Sequence, residues 1–496
     1  MSKIKVDQND LGNSKIERDP LNFLKHARQM PVKRSSQERR IDFKEIYTTN
    51  EMDDSSNQAA RCLDCGNPYC EWKCPLHNYI PNWLEQVAQQ NYQQAAELMY
   101  ETNPLPEICG RVCPQDRLCE QACTLNTGFG AVTIGAIEKN ITDRAIEKKW
   151  RPDLSQVPLS SKKIAIIGAG PAGLACADQL ARNGFKPVVY DRYPEIGGLL
   201  TFGIPGFKLE KEVMVKRRQF LEDIGVEFRL NTIIGDTVVG DTISFDQLRS
   251  KYDSVFLAMG TYTSVSASLP GIDSKGVIKA LDYLIGNVNQ QQDYQMADFP
   301  FYNLKNQSVI VIGGGDTAMD CVRTAIRQDA KSVTCVYRRD QPSMPGSPRE
   351  VENAKEEGVK FLFNFAPSSI AIDQQSHQVI GLNVEKTFQQ IDPESDAIKL
   401  QTEQNSQQFL KADIVITAFG FKASPADWFS KSGIKLKRSG LVEMELSESD
   451  DREYSQQTSV KGIFAGGDMV RGADLVVTAI AEGIQAANEI MDYVTD

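Results

Sequence analysis

The chemistry of this chain starts with its sulfur. Eight of the eleven cysteines fall in two short runs: Cys62, Cys65, Cys70 and Cys74, followed by Pro75, and Cys109, Cys113, Cys119 and Cys123. Thiolates so closely spaced can wrap a soft metal centre. Two glycine-rich turns lie downstream, Gly168-Ala169-Gly170-Pro171-Ala172-Gly173 and Gly313-Gly314-Gly315-Asp316-Thr317-Ala318. Each follows a short apolar run and opens a helical pattern, the arrangement that binds a dinucleotide pyrophosphate. A centre for single electrons beside two sites for two-electron carriers predicts an electron conduit.

Three readings compete for the cysteines: disulfides, zinc and iron–sulfur clusters. The first twenty residues are polar and cannot serve as a secretory signal, so the expected compartment is the cytoplasm, where lasting disulfides are rare. Two four-cysteine zinc sites would use all eight. The first run ends in Cys-Pro like a bacterial ferredoxin run, although its gaps of two, four and three residues depart from that pattern. Zinc carries no electrons, so the redox cofactors implied downstream favour clusters.

In the ferredoxin pattern the fourth cysteine serves the other cluster. Applied here, Cys62, Cys65 and Cys70 take one cluster, and Cys123 crosses to join them. Cys74, Cys113 and Cys119 take the second, whose last ligand is Cys109 or a nearby carboxylate. Tyr69 and Trp72, placed between ligands, are expected to keep water from a cluster. Cys176, Cys321 and Cys335 stand alone and read as core packing. His26, His77 and His377 are scattered, and no catalytic histidine constellation is visible.

In the first glycine turn Gly168 permits the sharp bend, Gly170 lets backbone amides reach a pyrophosphate, and Gly173 lets the helix pack close to the strand. The next strand ends at Asp191, placed to accept ribose hydroxyls. In the second unit, with Gly313, Gly315 and Ala318, the corresponding strand ends in Arg338 and Arg339. A carboxylate there would repel a 2′-phosphate, whereas a guanidinium fork binds one through paired charged hydrogen bonds. The second unit is therefore expected to take NADPH. Near the C-terminus, Gly467 and Asp468 end a strand in a turn whose acid can hold the ribityl chain of a flavin. Gly198 would let backbone approach that flavin, so the first unit is expected to take FAD.

The elements that must position these groups follow from composition and periodicity. A chain of 496 residues, 41% hydrophobic and 24% charged, is expected to be a soluble protein of two or three domains. A net charge of −11 argues against a nucleic-acid surface, and no apolar run reaches membrane-span length. Residues 1–50 read as a solvated arm packed on a neighbour, with an apolar patch at Leu21, Phe23 and Leu24. Short helices are expected at 81–87 and 93–100, and a linker at 150–161. Strands at 164–167, 187–190, 308–312 and 332–337 flank the two glycine turns, and strands near 255–259 and 414–419 end in glycine turns of their own. A helix is expected over 473–489, and glutamine-rich surface connections near 289–295 and 403–408. The expected fold class is α/β, with two doubly wound dinucleotide-binding units, one inserted in the other, preceded by a helical iron–sulfur domain. The domains are drawn at 1–160, at 161–285 with 423–496 for FAD, and at 286–422 for NADPH.

Taken in order, the cysteine runs, IGAGPAGL from Ile167, GGLLTFGIPGFKLEK from Gly197, VIGGGDTAMDC from Val311, VYRRD from Val336 and GIFAGGD from Gly462 make the chain resemble the small (beta) subunits of bacterial NADPH-dependent glutamate synthases. The resemblance covers nearly the whole length. It implies FAD, NADPH and two [4Fe-4S] clusters, with hydride passing from NADPH to FAD and single electrons passing on through the clusters. It also implies a hetero-oligomer with a large (alpha) glutamate synthase subunit that makes glutamate from glutamine and 2-oxoglutarate. The N-terminal half is similar to dihydropyrimidine dehydrogenase, in which a glutamine of an I-G-x-x-Q stretch ligates one cluster. The matching stretch here ends in Glu138, which makes that carboxylate a candidate ligand alongside Cys109. A reductase of the same build serving ferredoxin or another complex is the alternative. A disulfide reductase would need a C-x-x-C pair in the nicotinamide unit, which is absent, and a structural zinc module would be colourless.

Overall fold

The computed structural model describes residues 19–48, 52–236, 242–294, 296–391, 398–444 and 454–495. These divide into two compact units. The first takes the described residues of Met1–Val32, Thr49–Gly110 and Arg117–Trp150; the second takes those of Lys33–Thr48, Arg111–Asp116 and Arg151–Asp496. Two pieces of the expected N-terminal domain, Lys33–Thr48 and Arg111–Asp116, thus pack with the nucleotide-binding unit. Ion pairs and hydrogen bonds account for this. Lys33 and Arg39 each reach Glu356 at 2.8 Å, Ser347 reaches Asp116 at 2.9 Å and Arg349 reaches Gln115 at 3.1 Å, while Arg111 joins the two pieces to each other through Glu45 at 2.6 Å.

The first unit is helical. Met52–Ala59, Ile80–Ala88, Tyr92–Thr102 and Ile134–Glu147 carry most of a core built on Trp83, Leu84, Val87, Met99, Ile137 and Ile141. Pro81 sits in the first turn of its helix, where a missing N–H costs nothing. Arg61, fully buried beside the first cysteine run, donates to the carbonyls of His26, Phe129, Gly130 and Ala131 at 2.8–3.0 Å. Those four acceptors answer the cost of burying a guanidinium. Phe23 meets Phe129 edge-on at 4.8 Å, while Leu21 and Leu24 stay exposed. The arm is therefore partly packed; residues 1–18, 49 and 50 lie outside the described residues.

The second unit holds two parallel five-stranded sheets. One runs Ile463–Ala465, Ser254–Leu257, Ile164–Ile167, Val188–Tyr190, Glu227–Arg229. The other runs Lys360–Phe363, Ser332–Tyr337, Ser308–Ile312, Ile414–Thr417, Val277–Lys279. Beyond the serines that open two of them, the central strands are apolar and buried, as helices on both faces of a parallel sheet require. The edge strand Ile463–Ala465 returns from the C-terminus to the first sheet, so the second unit of sequence is inserted in the first. The second sheet already takes in Val277–Lys279, before the expected boundary at 286. An antiparallel pair, Thr263–Ser264 with Phe421–Lys422, lies where the chain leaves one half and comes back. An antiparallel sheet of Phe365–Ile372, Val379–Ile391, Ile398–Thr402 and Gln408–Lys411 extends the inserted half.

The C-terminal helix, expected over 473–489, is Val476–Thr495. It packs on Pro171–Arg182 so tightly that a Cβ on Gly483 would stand 2.2 Å from the carbonyl oxygen of Ala172. The glutamine-rich stretch after 289 is mostly the end of helix Ala280–Gln292, with residue 295 outside the described residues; 403–407 connects Ile398–Thr402 to Gln408–Lys411. Among the described residues no helix is long and apolar enough to cross a membrane.

Candidate functional site

In the helical unit, Cys62, Cys65, Cys70 and Cys123 line one small cavity with apolar walls that include Leu84, Val132 and Ile134. Burial first, then the neighbouring Cys62 and Cys123 thiols, push Cys70 up to about 12. Thiols so disfavoured as free anions become good ligands once a metal centre supplies the compensating charge. Tyr69 lines this cavity and Trp72 does not; both are about half exposed, at 52% and 53%. Among the described residues no three of His, Cys, Asp or Glu are gathered to hold a single metal ion. Four thiols on one small cavity are a donor set suited to a soft metal centre.

A second gathering in the same unit involves Cys74, Cys109, Cys119 and Glu138. Burial pushes Cys74 up to about 11, and Glu138 and Cys109 add to the shift. Cys119 is driven well up by burial, with Glu120, Glu138 and Cys74 contributing. Glu138 is buried on helix Ile134–Glu147, and burial pushes it up to about 8 against the hydrogen bond from Asn103. Its Oε1 accepts from Asn103 Nδ2 at 3.0 Å and from Asn78 Nδ2 at 3.4 Å. Nothing in the spacing of the cysteines pointed to Asn78 or Asn103.

In the nucleotide-binding unit one cavity of about 1220 Å³ takes in both glycine turns. Drug-sized ligands fill roughly 300–1,000 Å³, so this volume suits a larger guest. Gly168, Gly170, Asp191, Gly198, Gly467 and Asp468 line it from the first half, and Gly315 from the inserted half. Gly168 has φ +110°, and a Cβ there would lie 2.3 Å from the carbonyl oxygen of Ala258. A Cβ on Gly170 or Gly315 would meet nothing within 4 Å. Each of these two precedes a helix that no side chain caps, so backbone N–H groups are left facing the cavity. Two free helix starts on one cavity have the chemistry to hold two pyrophosphates.

Asp191 accepts the backbone N–H groups of Ala169 and Tyr193, while burial raises its affinity for a proton. Asp468 begins a short helix, and burial pushes it up to about 7. Gly467 donates its N–H to Glu482 at 2.6 Å, which fixes that turn. Gly173 and Ala318 serve helix packing, and Gly313 the second turn; none of the three lines the cavity. Arg338 and Arg339 also lie outside its wall, exposed at the end of Ser332–Tyr337 with no side-chain partner among the described residues. Cys113 does line the cavity, from the segment Arg111–Asp116. Lys208, Asp320, Ser347, Arg349 and Glu350 line it too. Sequence reasoning did not single these five out.

Residues 39–150 match the family model of dihydropyrimidine dehydrogenase domain II, 4Fe-4S cluster, and residues 162–483 match pyridine nucleotide-disulphide oxidoreductase. The glutamate synthase [NADPH] small chain of Halomonas elongata is 54% identical over 95% of this chain and 97% of its own. That of Escherichia coli K12 is 52% identical over 95% of this chain and 98% of its own. Mycobacterium tuberculosis FprA, solved in complex with NADPH, shares the fold with a TM-score of 0.54 at 16% identity, over 68% of this chain and 85% of that one. Two nucleotide cradles on one cavity, a cysteine-rich helical unit and near-full-length identity above one half agree: the chain belongs to the small-chain family of NADPH-dependent glutamate synthases, oxidoreductases of the pyridine nucleotide-disulphide type.

Proposed function

We propose that this chain is the electron-input subunit of a glutamate synthase, working beside a large (alpha) subunit in a cytoplasmic hetero-oligomer. The observation that carries the reading is the single cavity onto which both uncapped helix starts open, after Gly170 and after Gly315. Two dinucleotides held there can meet ring to ring. Bound FAD would take a hydride from NADPH and release the two electrons singly to iron–sulfur clusters.

The FAD half is 161–285 with 423–496. Gly168 and Gly170 bend the backbone around its pyrophosphate, Gly173 seats the helix, and Asp191 holds the adenosine ribose. Gly198, Gly467 and Asp468 hold the ribityl and ring end. The NADPH half is 286–422, extended by the strand Val277–Lys279. Gly313, Gly315 and Ala318 shape its turn, and Arg338 with Arg339 reads the 2′-phosphate. Their exposure supports that role, because neither guanidinium is engaged by the fold among the described residues.

For two [4Fe-4S] clusters, Cys62, Cys65, Cys70 and Cys123 would hold one, and their shared cavity supports that set. Cys74, Cys119 and Glu138 would serve the other, supported by their mutual electrostatic influence. Cys113 is a candidate on its spacing, and Cys109 remains the rival to Glu138. The test is anaerobic titration of the purified chain with NADPH, together with iron, sulfide and flavin analysis. Bleaching of a flavin band, with iron and acid-labile sulfide sufficient for two four-iron clusters, is the expected result. Two zinc ions per chain without iron would overturn the cluster assignment.

A further inference from the structure

Lys208 follows Gly206 and Phe207 in the first half of the nucleotide-binding unit. Its side chain is 14% exposed, and its Nζ lies 3.0 Å from Asp320 Oδ1 and 3.9 Å from Glu350 Oε2. Asp320 stands on helix Asp316–Arg327 and Glu350 on helix Pro348–Glu356, both in the inserted half. All three side chains line the cavity that holds the two glycine turns.

The other charges nearby belong to the inserted half, and Arg323 is the closer partner of Glu350. Arg323 pairs with Glu350 at 2.5 Å and with Glu357 at 2.9 Å, and Arg327 pairs with Glu357 at 2.6 Å. Asn353 donates to Glu350 at 3.1 Å. Asp316 is a further carboxylate acting on Lys208. Phe207, next to Lys208, lies under both Arg323 and Arg327 at 4.3 Å and 4.0 Å. The Gly206–Lys208 corner of one half is thereby keyed into two helices of the other.

If registration alone were needed, apolar packing would serve as well, because a buried ion pair gains little net stability. An ion pair on a cavity wall adds something packing cannot, which is a fixed direction of field. Here the cation, Lys208, comes from the flavin half and faces Asp320 of the nicotinamide half, while Glu350 is balanced within its own half by Arg323. When NADPH is oxidised, its C–H bond breaks and a hydride, one proton with two electrons, bonds to the flavin; no other reactant is needed. The nicotinamide ring gains positive charge, and the acceptor gains negative charge. The polarity of the wall matches that displacement, the kind of preset electrostatics that lowers barriers in sites shielded from water.

We propose that Lys208, set against Asp320 and Glu350, is a positioning residue that registers the two halves and polarises their shared cavity in favour of hydride transfer toward the flavin. This rests on the assignment of FAD to the first half and NADPH to the inserted one.

The test compares the flavin midpoint potential, by spectroelectrochemistry on flavin-loaded protein, in wild type, Lys208→Met, Lys208→Arg and the double variant Lys208→Met/Asp320→Asn. Lys208→Met should lower the potential and slow flavin reduction by NADPH about tenfold or more, with a smaller change in the NADPH Michaelis constant. Lys208→Arg should restore most of both. If Lys208→Met does not fold because its carboxylates are stranded, the double variant removes one stranded charge and should show a lowered potential too, by a smaller amount because the lost carboxylate acts in the opposite sense. An unchanged potential in either flavin-loaded variant overturns the proposal. A wild-type protein that holds no flavin, or ignores NADPH, would instead sink the cofactor assignment.

Discussion

Asp191 Oδ2 accepts the backbone N–H of Ala169 at 2.6 Å, so the acid at the end of one strand braces the glycine turn at the end of its neighbour. Its Oδ1 accepts the N–H of Tyr193 at 2.9 Å. The carboxylate therefore shapes the glycine turn as well as lining the cavity. In Asp191→Asn one of these backbone donors would face an amide NH₂. Hydrogen bonds to charged groups contribute about 1.5–3 kcal/mol, so flavin retention should weaken roughly tenfold to a hundredfold. Ultrafiltration of the purified variant at graded FAD concentrations measures this. Affinity equal to wild type would remove Asp191 from the flavin site.

Arg338 and Arg339 are exposed, and no side-chain partner holds them among the described residues. Replacing both with Ala should cost the fold less than about 0.5 kcal/mol, as for other surface substitutions. Each charged contact to a phosphate contributes about 1.5–3 kcal/mol, so the NADPH Michaelis constant should rise at least tenfold while NADH use stays nearly constant. Steady-state kinetics with both nucleotides decides, with flavin content measured in parallel. Equal losses with NADPH and NADH would mean that the arginines do not read the 2′-phosphate.

Lys211 gives a pH signature. Its Nζ donates to the carbonyls of Leu200, at 3.0 Å, and Ile204, and burial pushes it down to about 7 from an ordinary 10.5. Above about pH 7 the folded chain releases this proton, while the unfolded chain keeps it until about 10.5. The unfolded state then binds more protons, so stability rises with pH across that window. Below it the buried ammonium carries its full cost. The stability of wild type relative to Lys211→Met should therefore increase by roughly 2–3 kcal/mol from about pH 7 to about pH 9. Urea unfolding of both proteins at several pH values measures it, and a difference that stays flat would show that the lysine is not protonated and deprotonated as described.

The double-wound architecture was legible because Ile164–Ile167 and Ser308–Ile312 are short unbroken apolar runs feeding glycine turns, and few folds use that order. Val277–Lys279 escaped notice because three residues at a sheet edge carry no periodicity. The membership of Lys33–Thr48 in the second unit was equally hidden. It depends on Arg39 meeting Glu356, 317 residues away, and charge pairs leave no local pattern. The same reason hid Lys208 and its two carboxylates. At the cysteines, spacing and the crossing rule already paired Cys123 with the first run, and the four thiols do line one cavity. Spacing could not reveal that Cys113 lines the nucleotide cavity, because that depends on Ser347 and Arg349 hydrogen-bonding the neighbouring Asp116 and Gln115.

Asn103 stands between the two rivals for the last cluster ligand. Its Nδ2 donates to Glu138 Oε1 at 3.0 Å, and its Oδ1 lies 3.8 Å from Cys109 Sγ. An amide in that position orients the carboxylate with its donor and accepts the Cys109 thiol's hydrogen bond with its oxygen, which favours Glu138 over Cys109 as the proposed oxygen ligand. Outer hydrogen bonds of this kind commonly set which ligand a metal sees, and losing them costs about 10–100-fold in metal affinity. Glu138→Ala should thus cost the protein one of the two clusters proposed above, read as a halving of iron and acid-labile sulfide with flavin content intact. Cys109→Ser should keep iron near the wild-type level, and Asn103→Ala should fall between the two. Metal and sulfide analysis after anaerobic purification gives the answer, with electron paramagnetic resonance of the reduced protein reporting any change at the surviving centre. Full iron in Glu138→Ala together with halved iron in Cys109→Ser would transfer the ligand to the cysteine.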